Sequence, residues 1–415
     1  MLRFLTAGES HGEALVAILE GMPAGLALTR DTIDRQLHRR QVGYGRGRRM
    51  AIESDQVEIL SGIRHGLTLG TPIALLIRNR DWTNWQWTMA VDQEPPASAG
   101  GAHRAAVTRP RPGHADLAGA LKYGHRDLRD VLERASARET AARVAIGACA
   151  RVFLRHFGVR IASHVSAIGH VRLDESDSPS FDAVLALDDD DPVRCVDPTG
   201  RKQMMAAIDA ARTAGDTLGG TFEVVAHGVP PGLGSYAQWD RRLDGRLAQA
   251  LMSIPAIKAV EIGTGVSAAY QPGSQVHDPI RPALDPTRPE RLTRPTNRAG
   301  GLEGGASNGE DIRATAYMKP IATLMSPLPS VDLTTGQDAP ASIERSDTCA
   351  VPAAAVIGEA MVAVVLADAF LETFAGDSVT DIARSFDAWG RERASRFTPV
   401  PPGGPGKPDE ETSHR

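Results

Sequence analysis

Cysteine and aromatic residues are scarce in this 415-residue chain, with three cysteines and 5% aromatics. Cys149, Cys195 and Cys349 fit no disulfide framework and no paired-cysteine metal motif. They read as small buried thiols in a reducing compartment. Apolar runs of membrane length free of acidic residues are also missing. The longest, near 351–373, is interrupted by Glu359, Asp368 and Glu372. A membrane span takes about 20 mostly apolar residues, so this segment reads as a buried core helix. The start, MLRFLTAGESHG, has no apolar core of the signal-peptide kind. A cytoplasmic protein without a membrane partner is expected. Positive charge is not in excess either: 46 Lys and Arg stand against 51 Asp and Glu, a net charge of −5. Bulk nucleic-acid binding, which wants a strongly basic face, is disfavoured.

What is present is enough apolar residue, 42% of the chain, for a large core. Short runs rich in Val, Ile or Leu and bounded by Gly, Pro or polar clusters predict strands over 14–20, 57–63, 72–78, 160–171, 221–228 and 259–263. Helices are predicted over 31–40, 134–157, 202–214, 240–254 and 352–374. In 240–254, Leu243, Leu247, Leu251 and Ile254 form an apolar stripe at spacings of four and three. The order is α plus β without the regular alternation of a doubly wound sheet. Residues 88–108 and the acidic stretch 186–202, with Asp188 to Asp191, read as surface loops. The latter is a solvated acidic turn rather than a calcium loop, which needs alternating ligands and a late Glu. Length alone suggests two or three domains' worth of chain, and one large single domain over 1–398 is also possible, followed by a tail, 399–415, with the composition of a disordered terminus.

The polar residues that carry chemistry sit in glycine-rich clusters. Gly8 and Gly12 flank Glu9, Ser10 and His11 and leave the histidine on a turn. Histidine is the side chain that most readily moves a proton near neutrality; a glycine turn with a polar tip is the plainer alternative. Between positions 39 and 49, Arg39, Arg40, Arg46, Arg48 and Arg49 alternate with Gly43, Gly45 and Gly47. Arginine forks onto phosphate and carboxylate oxygens, and glycine brings backbone N–H groups to the same anion. The stretch is neither a dinucleotide fingerprint nor a phosphate-binding P-loop. With one interleaved aromatic, Tyr44, a small polyanion suits it better than RNA.

In 109–116, two prolines stiffen a loop that carries Arg111, His114 and Asp116. That suits binding a phosphate leaving group and protonating it. Asp116 could equally cap the helix starting near Leu117. Ser136 and Glu139 match a capping box, and small residues at a helix start also suit an anion. Four glycines in 300–305 mark a ligand-contacting loop, with Met318-Lys319-Pro320-Ile321-Ala322-Thr323 not far beyond. Asp347 could cap the helix that follows it.

Together the motifs TAGESHG, RRQVGYGRGRR, RPGHADLAGALKYGHRD, ERASARETAARVA, GDTLGG, NRAGGLEGG, MKPIAT and RSDTCAVPA, in this order over roughly residues 1–375, resemble those of chorismate synthases. The resemblance implies an α+β fold with a helical core layer sandwiched between two antiparallel β-sheets. It implies a phosphate lyase that turns 5-enolpyruvylshikimate 3-phosphate into chorismate by 1,4-elimination, at the end of the shikimate route. Reduced FMN is the implied cofactor. A homotetramer and an external flavin reductase are the implied partners, with NADPH serving only as an indirect reductant. The family sometimes carries a nicotinamide nucleotide at the Arg40 and Arg46 positions, but no separate fold for one is evident.

Matched motif by motif, the resemblance implies that His11 supplies a proton to the flavin, that His114 faces the phosphate and that Asp347 is a base toward flavin N5. Ser10, Arg40, Arg46, Arg49, Arg111 and Arg345 are implied to hold the substrate. The flavin is implied to rest on Arg134, Ala135 and Ser136, on Pro255 and Ala256, on Gly304, and on Lys319, Pro320, Ile321, Ala322 and Thr323, with Arg345 nearby. Some family members have Gln-Ala where this chain has Pro255-Ala256. The competing readings are a flavin-independent phosphatase, for which no nucleophile motif is present, and an RNA-binding protein using the 39–49 arginines.

Overall fold

The computed structural model describes residues 1–47, 54–92, 105–174, 178–283, 292–344 and 347–396. Arg49, Arg345, residues 93–104 of the predicted 88–108 loop and the 399–415 tail lie outside them.

One antiparallel sheet comprises β1 (Arg3–Ala7), β2 (Ala14–Glu20), β3 (Val57–Ile59) and β4 (Ile73–Arg78), in the order β1-β2-β4-β3. The register sets Ala14 opposite Arg78 and Leu19 opposite Ile73. Alternation then points Leu15, Ala17 and Leu19 of β2 and Ile73, Leu75 and Ile77 of β4 into the core. The second sheet comprises β5 (Arg160–Ile168), β6 (Val171–Arg172), β7 (Gly220–His227), β8 (Ile257–Ile262) and β9 (Ile312–Met318), ordered β8-β9-β7-β5-β6 and antiparallel throughout. β5 is buried on both faces, because the short helix 181–185 packs its Phe181 and Val184 against Ala162 and Val225.

The long helices are α1 (Arg30–Gln41), α2 (Asp116–Tyr123), α3 (Arg129–Ala135), α4 (Thr140–His156), α5 (Pro198–Ala214), α6 (Leu243–Met252), α7 (Val351–Thr373) and α8 (Val379–Arg396). α7 is apolar all round, and it is the one helix among the described residues long and apolar enough to cross a membrane. It lies in the core, with its residues from Val351 to Val364 all buried, as a helix without a polar face must. It packs on β5 and β7 on one side and on α4 on the other, while α4 reaches β2 and β4. Small residues set these distances. A Cβ on Gly147 of α4 would lie 2.3 Å from the Cβ of Ala360, and one on Gly358 would lie 2.6 Å from the Phe222 ring.

The predicted elements are present with shifted ends. The predicted strand 57–63 stops at Ile59, where Gly62 at φ +82° turns the chain. The predicted strand 160–171 breaks at Gly169 into a hairpin. The predicted helix 134–157 is three pieces. α3 ends at Ala135, Ser136 is extended with ψ 144°, a single 3-10 turn covers 137–139, and α4 begins at Thr140. The acidic loop is fastened to α1: Asp189 pairs with Arg35 and Arg39, and Asp190 with His38. Among the described residues, no group of His, Cys, Asp and Glu could hold a metal ion.

Candidate active site

Three loop clusters gather the predicted residues. The first is built on the turn after β1. Gly8 has φ +103°, and a Cβ there would lie 2.3 Å from the Ala14 carbonyl oxygen, so the turn requires glycine. The turn presents His11 to Glu133 of α3. The His11 backbone N–H donates to Glu133 Oε2 at 2.8 Å, and His11 Nδ1 lies 2.9 Å from both carboxylate oxygens. The imidazole also stacks on Trp85, with ring centroids 3.8 Å apart. Burial alone would raise the Glu133 carboxyl, but hydrogen bonds and charge from His11, with Arg129, outweigh it and hold the group below the usual carboxylate range. Glu133 thereby fixes the ring orientation.

Behind the turn, Arg134 donates to the carbonyls of Thr6 and Gly8, and Ser136 Oγ donates to Ser10 Oγ at 3.2 Å. Ser136 also accepts from the Arg138 N–H. It therefore caps as predicted, but Glu139 pairs with Arg143. Arg40 is buried at the end of α1, donating to Thr140 Oγ1 and the Ala137 carbonyl. Asp55 lies 3.6 Å from Arg40 and makes a 2.7 Å pair with Arg138.

The second cluster is the proline-stiffened loop. Arg111 donates through Nε and Nη2 to the two oxygens of Asp116, at 2.8 and 3.0 Å, and through Nη1 to Thr323 Oγ1 at 2.9 Å. His114 Nδ1 meets Asp116 Oδ1 at 2.6 Å. The capping alternative for Asp116 is thus corrected. The residue before α2 is Ala115, with no side-chain cap, and Asp116 is spent on the arginine and the histidine. Burial opposes ionisation of Asp116, yet the His114 and Arg111 bonds and charges hold its carboxyl well below the usual range. Lys319 Nζ donates to the Gly113 carbonyl, and the Lys319 N–H to the carbonyl of Ala256. Burial, with the charge of Lys258, makes Lys319 less basic than an exposed lysine. Ala256 itself has φ +68°, strained for a residue with a Cβ.

The third cluster faces the start of α7. Arg46 Nη1 pairs with Asp347 Oδ2 at 2.7 Å, and the Gly47 N–H donates to Asp347 Oδ1 at 2.6 Å. Asp347 is not a helix cap: α7 is preceded by Ala350, which has no side-chain cap either. Gly45, with φ +87°, passes so close that a Cβ would lie 2.9 Å from Ile208 and 3.3 Å from the Cys349 nitrogen. Burial pushes the Cys349 thiol up to about 11, which removes it as a nucleophile.

Hydrogen bonds tie the clusters together. Thr217 Oγ1 donates to the Ile321 carbonyl, while the N–H of the next residue, Leu218, donates to the Thr348 carbonyl. The 319–323 loop and the 347–349 segment therefore share one support, the turn before β7. Arg40 and Arg46, six residues apart, link the first and third clusters. Gly304 sits at the tip of hairpin 302–307, which packs on Gly234 and Leu243 at the start of α6. Sequence reasoning missed Glu133, Asp116 as an ion-pair partner, Trp85 and Asp55. Glu133 directly precedes Arg134 in a motif already singled out, so a carboxylate partner for His11 was on offer there.

Two imidazoles each held by a buried carboxylate, beside arginines on glycine-rich loops, are an arrangement suited to a small polyanion that gains or loses protons. Comparison with known proteins narrows the class. The chorismate synthase family matches residues 2–371. The chain is 59% identical over 389 residues to a chorismate synthase of Moorella thermoacetica, covering 94% of this chain and 98% of that protein. It is 54% identical to one of Solibacter usitatus with the same coverage. A crystal structure of a chorismate synthase matches with a TM-score of 0.74 at 43% identity, over 95% of this chain and 98% of that one. The chain belongs to the chorismate synthase family, a flavin-dependent family of lyases.

Proposed function

We infer that the chain converts 5-enolpyruvylshikimate 3-phosphate to chorismate and inorganic phosphate by a 1,4-elimination that depends on reduced FMN. The observation that carries this reading is the family match across residues 2–371, the stretch that contains all three clusters. Residues 1–398 act as one catalytic domain with a helical layer between two antiparallel sheets; the packing of α4 on the first sheet and α7 on the second supports this.

The donor set fits an anionic flavin. Lys319 and Thr323 on one loop and Arg134 and Ser136 on another offer a cation, hydroxyls and a guanidinium. Ala135, Pro255, Ala256, Pro320, Ile321 and Ala322 supply apolar and backbone surface, with Gly304 and Arg345 completing the flavin set. Reduced FMN, when bound, supplies an electron-rich ring on which the substrate draws without net oxidation. Ser10, Arg40, Arg46, Arg49, Arg111 and Arg345 bind the phosphate and carboxylates of the substrate. His114, oriented by Asp116, donates a proton toward the departing phosphate. His11, oriented by Glu133, supplies a proton toward the flavin, and Asp347 accepts one near N5. The working form is a cytoplasmic homotetramer. Exposed apolar side chains on the first sheet, Leu5 and Ile18 among them, support association. Reduction of FMN falls to an external flavin reductase, with NADPH acting only through it.

The test is anaerobic phosphate release from the purified protein and substrate. Release is expected with reduced FMN and not with oxidised FMN or none, and the reduced flavin should not be consumed. Phosphate release at the same rate without flavin overturns the reading in favour of a phosphatase.

A further inference from the structure

A cavity of about 190 Å³ lies between α1, α4, β5 and the 187–194 loop. Six arginines line it: Arg35, Arg39, Arg151, Arg155, Arg160 and Arg194. Two carboxylates answer them. Asp189 lines the cavity and pairs with Arg35 and Arg39. Glu359 of α7, buried behind it, takes Arg39 at 2.6 Å, Arg194 at 3.5 Å and, in a very short contact, Arg151. Ser163 Oγ also donates to Glu359. The lining therefore carries several positive charges in excess. Aliphatic side chains such as Val152, Ile161 and Val184 form the rest of the wall, which weakens screening by water.

Arg194 is the second observation. It has φ +53°, a left-handed backbone that is costly for a residue with a Cβ. Its side chain is only 2% exposed. Nη2 donates to the Ser163 carbonyl at 3.2 Å, but Nε and Nη1 have no hydrogen-bond partner among the described residues. Buried guanidinium donors left unmatched are expensive, and an ion commonly completes them. Burial first, and then the charges of Arg39 and Arg151, bring the Arg194 pKa down to about 10 despite the nearby Glu359.

We propose that this cavity is a second anion site, separate from the three active-site loops, which takes a small multivalent oxyanion of the phosphate class. A tetrahedral dianion matches the forked donors from several directions and offsets more of the excess charge than a single carboxylate does. The site shares α1 with the active-site loops: Arg39 turns toward the cavity, and its neighbour Arg40 turns toward Thr140.

The experiment follows thermal unfolding of the flavin-free protein, with inorganic phosphate replacing chloride at constant ionic strength. The melting temperature is expected to rise with the logarithm of phosphate concentration above its dissociation constant, as mass action requires. Sulfate should act alike and acetate should not. The Arg155→Gln/Arg160→Gln double variant, altered only at exposed positions, should weaken phosphate binding at least tenfold. Arg111→Gln, in the second active-site cluster, should keep the response. A rise no larger than chloride produces overturns the proposal. So does a response lost in Arg111→Gln and retained in the double variant, which would assign the phosphate to the active site. Because flavin and substrate are absent, neither result bears on the elimination reaction.

Discussion

Replacing Asp347 by asparagine removes one charge and almost no volume. Among the described residues the Asp347 carboxylate accepts, first, the Gly47 N–H at 2.6 Å and pairs, second, with Arg46 at 2.7 Å. An asparagine oxygen keeps the first and loses the charge that serves the second. A hydrogen bond to a charged group contributes about 1.5–3 kcal/mol. The two side chains are 11% and 20% exposed, so water screens part of the pair, and a stability loss of about 1–2 kcal/mol is expected for Asp347→Asn. If Asp347 also accepts a proton during turnover, the same change lowers the rate by about 10²–10⁴. The assay measures melting temperature and single-turnover rate at saturating reduced FMN on one preparation. Arg46→Gln and the double variant complete a cycle, with a coupling of about 0.5–3 kcal/mol expected in stability. A near-parental rate refutes the role as a base. Additive losses of stability refute the ion pair.

Three further outcomes are expected. Glu133→Gln keeps the shape of the His11 support but not its charge; turnover should fall about tenfold or more while melting changes little, and an unchanged rate would show that the carboxylate is only packing. Glu359→Gln leaves Arg39, Arg151 and Arg194 without their shared buried counter-charge and should cost about 3–5 kcal/mol in denaturant unfolding; a loss no larger than that of a surface substitution refutes the cluster. Asp116, Glu133 and Glu359 all have carboxyls held below their ordinary values. Their stabilisation is therefore present above about pH 4–5 and is lost progressively as pH falls below it, so unfolding free energy that stays flat from neutrality to about pH 3 contradicts these pairings.

Much of the frame could be read from local patterns because its signals are local. The buried helix 351–373 announces itself by an almost unbroken apolar run, and β2 and β4 by Val, Ile and Leu between glycines and prolines. β9 escaped because its inward residues, Ile312, Ala314 and Ala316, are mostly small and weakly hydrophobic. α8 escaped although Ile382, Phe386 and Trp389 recur at helical spacing and pack on the core. The predicted helix 134–157 ran through Ser136, although the capping match of Ser136 with Glu139 already marked a helix start there.

At the site, the histidines and arginines stand out by type and by their glycine neighbours, whereas their partners do not. His11 and Glu133 are 122 positions apart and Arg111 and Thr323 are 212 apart, so no window along the chain contains both members of either pair. Asp116 and Asp347 looked like caps because each stands next to a helix. Ion pairs claimed both carboxylates instead, Asp347 with the distant Arg46 and Asp116 with Arg111 of its own loop.

The contact between Gly147 and Ala360 limits how this protein can respond to its ligands. Two helices that meet through a hydrogen and a methyl have no long side chains to swing aside, and close-packed interiors do not deform smoothly. Sliding α4 along α7 would drive backbone into backbone. Rearrangement on binding is therefore expected in the charged loops around Gly8, Gly45 and Gly113 rather than at this contact. The helical layer then serves as a fixed datum, and a ligand's binding energy goes into arranging loops against it rather than into shifting the core.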